Sequence, residues 1–250
     1  MLTPVRRRLR DVYIGVTDRG WFGLTPLDAH IVVCGYPRSG TTLLQAMLET
    51  AVSDALAFGR ERGGLGVARY TWPGRHRVLL SKKPNDIFWV DDIRDYYRER
   101  RTRVRFVLSL RDPRAVLTSI HVDKPGYCVP ADKWRSVYEH IEYQRHNADV
   151  TLVEYRDLVE RPQQVQAQLA SFTGCDIGQR FDDFHAAVPK HFDTRALNGV
   201  RPLDRSSLDK WRAPKHRERI QQILAELPEL PERLVELGYE ADTAWMREYQ

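Results

Sequence analysis

Two arginine-bearing segments give this sequence its chemistry. The first is Gly35-Tyr36-Pro37-Arg38-Ser39-Gly40-Thr41-Thr42. It follows an apolar run and opens a helical pattern. In that place successive backbone N–H groups and the helix dipole favour an anion. The spacing is that of the nucleotide phosphate loop G-x-x-x-x-G-K-[ST], with Thr41 where the lysine belongs. In a triphosphatase that lysine reaches the β- and γ-phosphates, so its absence counts against ordinary ATP chemistry. The cation sits inside the loop instead, as Arg38, and Thr41 and Thr42 offer hydroxyl donors. The second segment is Val107-Leu108-Ser109-Leu110-Arg111-Asp112-Pro113-Arg114-Ala115-Val116-Leu117-Thr118-Ser119. Arg111 closes an apolar run, and Ser119 follows about two helical turns later. A guanidinium grips phosphate through two parallel hydrogen bonds, and a charged contact of this kind contributes about 1.5–3 kcal/mol.

The first segment, Pro37-Arg38-Ser39-Gly40-Thr41-Thr42, resembles the 5′-phosphosulfate loop of sulfotransferases that use 3′-phosphoadenosine 5′-phosphosulfate (PAPS). The arginine form is similar to the bacterial, tyrosylprotein and carbohydrate branches. The second resembles the same family's 3′-phosphate motif, which implies that Arg111 and Ser119 hold that phosphate. Glu154-Tyr155-Arg156-Asp157-Leu158 resembles the family's Y-E-D-L segment, and places Tyr155 beside the nucleotide. Asp204-Arg205-Ser206-Ser207-Leu208-Asp209-Lys210-Trp211 resembles the late loop that closes over PAPS. It implies contacts from Ser207 and Lys210, with Arg201 or Arg205 supplementing Arg111 and Trp211 as a packing anchor. The resemblance runs from about residue 30 to residue 212.

Sulfuryl transfer needs the acceptor to lose a proton, the sulfuryl charge to be stabilised and the leaving phosphate to be neutralised. Arg38 is placed for the leaving group. Ser81-Lys82-Lys83-Pro84 resembles the family's K-x-P segment, which assigns Lys82 to the sulfuryl or bridging oxygen, with Lys83 as a fallback. Cytosolic members carry a catalytic histidine where this chain has Pro84. The tyrosylprotein branch uses a glutamate after the first helix, in a Gly-Glu-Glu segment. Gly59-Arg60-Glu61 is the corresponding stretch here, with Arg60 as a departure. Glu61 is the first candidate base and His121 the second.

These residues must be positioned by a frame. Apolar runs at 30–35, 78–81, 104–110 and 150–155 read as strands. Patterns at 41–52, 87–101, from 113, 134–147 and 162–173 read as helices, the last closed by Gly174. Strands alternating with helices predict an α/β fold: a P-loop-type parallel sheet flanked by helices, as a single domain over 1–250. Such sheets bind ligands at the carboxyl ends of their strands. Residues 193–213 form a candidate flap, and 215–239 a helical stretch broken near Pro228 and Pro231. Segments 53–76, with Trp72, and 121–135, with Tyr127 and Trp134, are expected to line the acceptor mouth.

The net charge of +5 suits an anionic ligand. No RNA-module motif is present, so nucleic acid is not the expected partner. No apolar run approaches the ~20 residues of a membrane span. The basic N-terminus lacks the apolar core of a secretory signal, and three scattered cysteines make neither a disulfide framework nor a zinc site. A cytoplasmic setting and a metal-free reaction are expected. The acceptor is a small molecule or carbohydrate bearing a hydroxyl: a sugar, a lipid, a peptide tyrosine or a secondary metabolite. Neither its identity nor the oligomeric state is encoded in a motif. Two other readings stand beside sulfuryl transfer. One is a P-loop kinase or ATPase, with Asp112 imitating the magnesium-binding aspartate. The other is an inactive nucleotide-binding module.

Overall fold

The computed structural model describes residues 12–249 except 24, 72, 121–124 and 198, with 196 described by its backbone alone. Trp72 and His121 therefore lie outside the described residues. Among the described residues five strands form one parallel sheet: β1 (Ala29–Gly35), β2 (Ala55–Leu56), β3 (Val78–Lys82), β4 (Arg103–Leu110) and β5 (Val150–Glu154). Their spatial order is β2-β3-β1-β4-β5. The central strand β1 is buried along its whole length, because helices cover both faces of the sheet. Side chains alternate between the faces. Val32 and Cys34 join a core with the helices Val90–Tyr97, Ala131–Gln144, Arg217–Glu226 and Leu230–Glu236. Ile31 and Val33 join the opposite core, with the helices Thr41–Ala51 and Pro162–Thr173 and the buried Phe181 and Phe184.

Register brings the ends of four strands to one edge. Val33 pairs with Lys82, Gly35 with Ser109, and Leu110 with Glu154. The chain runs from β1 to β2 and β3 on one side and then crosses to β4 and β5 on the other, so the strand order reverses at β1 and opens the crevice where α/β sheets take ligands.

The elements differ from the sequence reading where local signals are weak. The expected helix 87–101 is a 3-10 turn over Pro84–Trp89 followed by the helix Val90–Tyr97; Trp89, at φ −121° and ψ 10°, breaks the two. Strand β5 stops at Glu154, and Tyr155 opens the helix Tyr155–Glu160. The helix after Asp112 is only Pro113–Leu117. Segment 53–76 contains β2 and the helix Gly64–Tyr70, neither of them read in the sequence. Two residues carry no strand period, and two glycines suppress a helix signal. Packing is tight at the first of them: a Cβ on Gly64 would sit 3.1 Å from Ile93 Cδ1 and 3.3 Å from Ser81 Oγ. Trp134, expected at the acceptor mouth, is 1% exposed and stacks between Tyr36 and Tyr138. Its helix starts earlier, at Ala131, and Trp134 is on the helix face packed into the core. The flap is a series of short 3-10 turns, Arg195–Leu197, Arg205–Ser207 and Lys210–Arg212. Gly174 closes its helix in the left-handed conformation, as expected.

Candidate functional site

The loop after β1 is built by backbone geometry. Gly35 has φ +124°, and a Cβ there would lie 2.5 Å from the Ser109 carbonyl oxygen of β4. Arg38 (φ 68°) and Gly40 (φ 93°) both occupy positive φ, so the chain curls tightly before the helix Thr41–Ala51. Gly40 caps that helix without a side-chain hydrogen bond, leaving its first N–H groups for an anion or solvent. Ser39 faces inward. Its hydroxyl donates to the Tyr36 carbonyl at 2.6 Å, its N–H donates to the same oxygen at 3.3 Å, and its own carbonyl accepts from Ser109 Oγ at 2.9 Å. Ser39 thus shapes the loop, with its hydroxyl committed to the Tyr36 carbonyl.

Arg111, at the end of β4, ties three segments together. One terminal nitrogen donates to the Arg38 carbonyl at 3.0 Å and the other to the Ser207 carbonyl at 2.8 Å. The guanidinium lies 4.2 Å over the Tyr155 ring. Tyr155 and Ser207 share a hydroxyl hydrogen bond of 3.0 Å. Gly40 is needed against this tyrosine, since a Cβ would come within 2.3 Å of its Cδ2. The remaining nitrogen, Arg111 Nε, is buried with no partner among the described residues. Burial pushes the Arg111 guanidinium down from its ordinary pKa, and neighbouring Arg38 pushes the same way against Tyr155. A bound anion would relieve that cost. Arg38 Nε donates to Ser119 Oγ at 2.8 Å. The arginine of the first motif and the serine of the second are therefore direct neighbours.

Lys82 closes β3 with its side chain almost wholly buried. Its ammonium donates to Glu61 Oε1 at 2.9 Å and to Thr42 Oγ1 at 3.2 Å. Glu61 is 57% exposed. Of the two adjacent lysines, Lys82 points to the helix Thr41–Ala51, and Lys83 is on the surface.

A cleft of about 640 Å³ collects most of these groups; buried Ser39 and Lys82 are not among its lining residues, and Lys82 meets it through Thr42 and Glu61. Pro37, Arg38, Gly40, Thr41, Thr42, Glu61, Arg111, Ser119, Tyr155, Ser207 and Lys210 all line it. Arg201 also borders it, while Arg205 is an exposed residue outside the lining. Leu43, Phe184, Leu197 and Leu203 give one apolar wall. His216 was not singled out in the sequence, because it carries no motif spacing. It lines the cleft, faces Tyr127 Oη at 3.4 Å, and has its pKa lowered by burial and then by Lys215.

Asp112 has another task. Its Oδ1 accepts from Arg114 N (2.8 Å) and Nε (3.0 Å), and its Oδ2 from the guanidinium at 2.8 Å. Arg114 also pairs with Glu240 and lies 3.9 Å over Trp211 and 4.7 Å over Trp245. Trp211 is thus a packing anchor beneath the late loop. An Asp112 held this way argues against the magnesium-binding role.

No family model matches this chain, and no curated protein matches it. Solved structures do. The sulfotransferase domain from the Synechococcus PCC 7002 olefin synthase superposes with a TM-score of 0.51 at 20% identity, over 74% of this chain and 87% of that one. The chain has the fold of a sulfotransferase domain. The sulfotransferase domain from the curacin biosynthetic pathway gives a TM-score of 0.49 at 16% identity, over 81% of this chain and 98% of that one. Mouse sulfotransferase SULT7A1, a structure complexed with PAP, gives 0.43 at 13% identity, over 85% and 88%.

Proposed function

We propose that this protein is a sulfotransferase that moves a sulfuryl group from PAPS to an acceptor hydroxyl. The observation that carries this reading is a single cleft with two kinds of anion site. The loop Pro37–Thr42 with the helix N-terminus suits a 5′-phosphosulfate, and Arg111 with Ser119 suits a second phosphate. Arg111 Nε, buried with no partner among the described residues, fits that group. It needs an acceptor atom, and the polar groups around it are already committed to each other.

PAPS supplies the electrophilic sulfur and, as its S–O bond to phosphate breaks, leaves as 3′-phosphoadenosine 5′-phosphate (PAP). The chain's own residues do the rest. Lys82 Nζ, held between Thr42 and Glu61, directs positive charge to the sulfuryl and bridging oxygens. Arg38 reaches the nucleotide from the loop, and its contact with Ser119 links the two phosphate sites. Glu61 receives the acceptor's proton. One of its oxygens is engaged by Lys82, and more than half of its side chain is open to the cleft mouth or solvent. Tyr155 and Ser207 brace Arg111. Lys210 closes over the nucleotide from the late loop, with Arg201 beside it.

Calorimetry with PAP, ADP and magnesium–ATP separates the classes of function. Binding of PAP in chelator, tighter than ADP, supports the reading. Tight magnesium-dependent ATP binding with no response to PAP overturns it in favour of phosphoryl transfer.

A further inference from the structure

Glu61 sits on a stretch that belongs to no helix or sheet strand, yet its carboxylate meets a buried ammonium. Such a contact needs the stretch to be held from both sides. On its far side Arg62 N–H donates to the Lys82 carbonyl at 2.9 Å, fixing the segment along the end of β3. On its near side the anchor comes from the phosphate-loop helix. Glu49, two turns into the helix Thr41–Ala51, accepts the Gly59 N–H with both carboxylate oxygens, at 3.1 and 3.0 Å. Gln45, one turn earlier and buried, donates its amide to Glu49 Oε1 at 2.6 Å and to the Arg60 carbonyl at 3.2 Å.

Gly59 is clamped further by the stretch 191–193. It has φ +63°, and a Cβ there would lie 2.7 Å from His191 Cδ2 and 2.8 Å from the His191 carbonyl. Its own carbonyl accepts from Asp193 N–H at 2.6 Å. Glu49 is mostly withdrawn from water, and burial raises its pKa against the pull of Gln45 and Gly59. Burying a carboxylate costs free energy unless its hydrogen bonds recover it. Those bonds go to Gln45 and to the segment that carries Glu61, and Glu49 is not among the residues lining the cleft.

We propose that Glu49, assisted by Gln45, is a positioning residue that holds Gly59–Glu61 so that the Glu61 carboxylate meets Lys82 and the acceptor. This rests on the reading of Glu61 as proton acceptor. One helix then serves both partners in the reaction. Its first turn takes the donor's anion, and its third turn sets the base.

The test compares Glu49→Ala, Glu49→Gln and Glu61→Gln in the full chain by steady-state kinetics, PAP calorimetry and NMR of the Lys82 ammonium. Glu49→Ala is expected to lower kcat by about 10²-fold while PAP affinity stays within about twofold. Its Lys82 signal should move in the same direction as in Glu61→Gln. Glu49→Gln keeps an oxygen for the Gly59 N–H and should recover most of the rate and the wild-type signal. Wild-type kcat and an unmoved Lys82 signal in Glu49→Ala overturn the proposal. So does a loss of PAP affinity as large as the loss of kcat, which assigns Glu49 to the phosphate loop. If the wild type turns over no PAPS, the functional reading falls, and the Lys82 signal alone decides the positioning. Should Glu49→Ala not fold, Gln45→Leu removes the Arg60 tether and is read by the same measurements.

Discussion

Replacing Arg111 by alanine should abolish the protein's preference for a nucleotide with a 3′-phosphate. The two terminal nitrogens of Arg111 are committed to the Arg38 and Ser207 carbonyls, and only Nε is buried without a partner among the described residues. A 3′-phosphate therefore gains at least one new charge-assisted hydrogen bond, worth about 1.5–3 kcal/mol. At 1.4 kcal/mol per tenfold in Kd, that is a preference for PAP over ADP of about 10- to 150-fold. Calorimetry on both nucleotides gives the ratio directly. The ratio matters because Arg111→Ala also frees the loop and the flap, which weakens ADP as well. That common loss cancels, and the ratio should fall by about that same factor. Arg111→Lys keeps the charge but loses the planar fork and the face over Tyr155, so its ratio should be intermediate. A preference that survives Arg111→Ala undiminished refutes the assignment of the 3′-phosphate to this residue.

Gly40→Ala places a methyl 2.3 Å from Tyr155 Cδ2 at φ +93°, so PAP affinity should fall by more than about tenfold, with about 1–3 kcal/mol of strain; unchanged calorimetry would mean that the loop tolerates another shape. Arg114→Met leaves buried Asp112 without its cation and half-buried Glu240 with only Arg212 at 3.9 Å, and should cost about 3–5 kcal/mol in urea denaturation, whereas a loss under 1 kcal/mol, by the same bound for a buried pair, would show the cluster to be dispensable. Burial raises the Glu154 carboxyl to about 7 even though Tyr239 Oη donates to it at 2.6 Å. A raised folded-state pKa means that the native chain binds the extra proton: the contribution to stability is full below the ordinary 4.5 and is lost as pH rises toward 7. Glu154→Gln should therefore flatten the fall in Tm across that window, and an unaltered slope would contradict the assignment. Turnover should persist in chelator, since Arg38 and Lys82 carry the positive charge; loss of rate restored by magnesium would favour phosphoryl transfer.

The parts of the site that are local in sequence were legible there. The curled loop Gly35–Thr42 and the strand ending in Arg111 announce themselves by composition and by a period break, and four of the five strands lie where apolar runs place them. The remainder depends on contacts between distant segments. Nothing in the spacing says that Arg38 meets Ser119, or that Glu61 and Lys82 pair. The second contact exists because Arg62 is laid against the end of β3. Ser39 and Trp134 look like site residues by type, but tertiary packing turns both inward. His216 was invisible because the helix after the flap, rather than a motif, carries it to the cleft. Strand β2 pairs through two residues only, too few for any periodicity to show.

The most direct measurement is transfer itself. The protein is incubated in chelator with PAPS carrying radioactive sulfur and a mixture of phenols, sugars, lipid alcohols, tyrosine peptides and hydroxylated metabolites, and the products are separated by chromatography and mass spectrometry. The account requires label on an organic acceptor, with one PAP formed per sulfate ester and both products lost in Lys82→Ala. Tight PAP binding with no label moved to any acceptor class would contradict it and leave a nucleotide-binding module without chemistry.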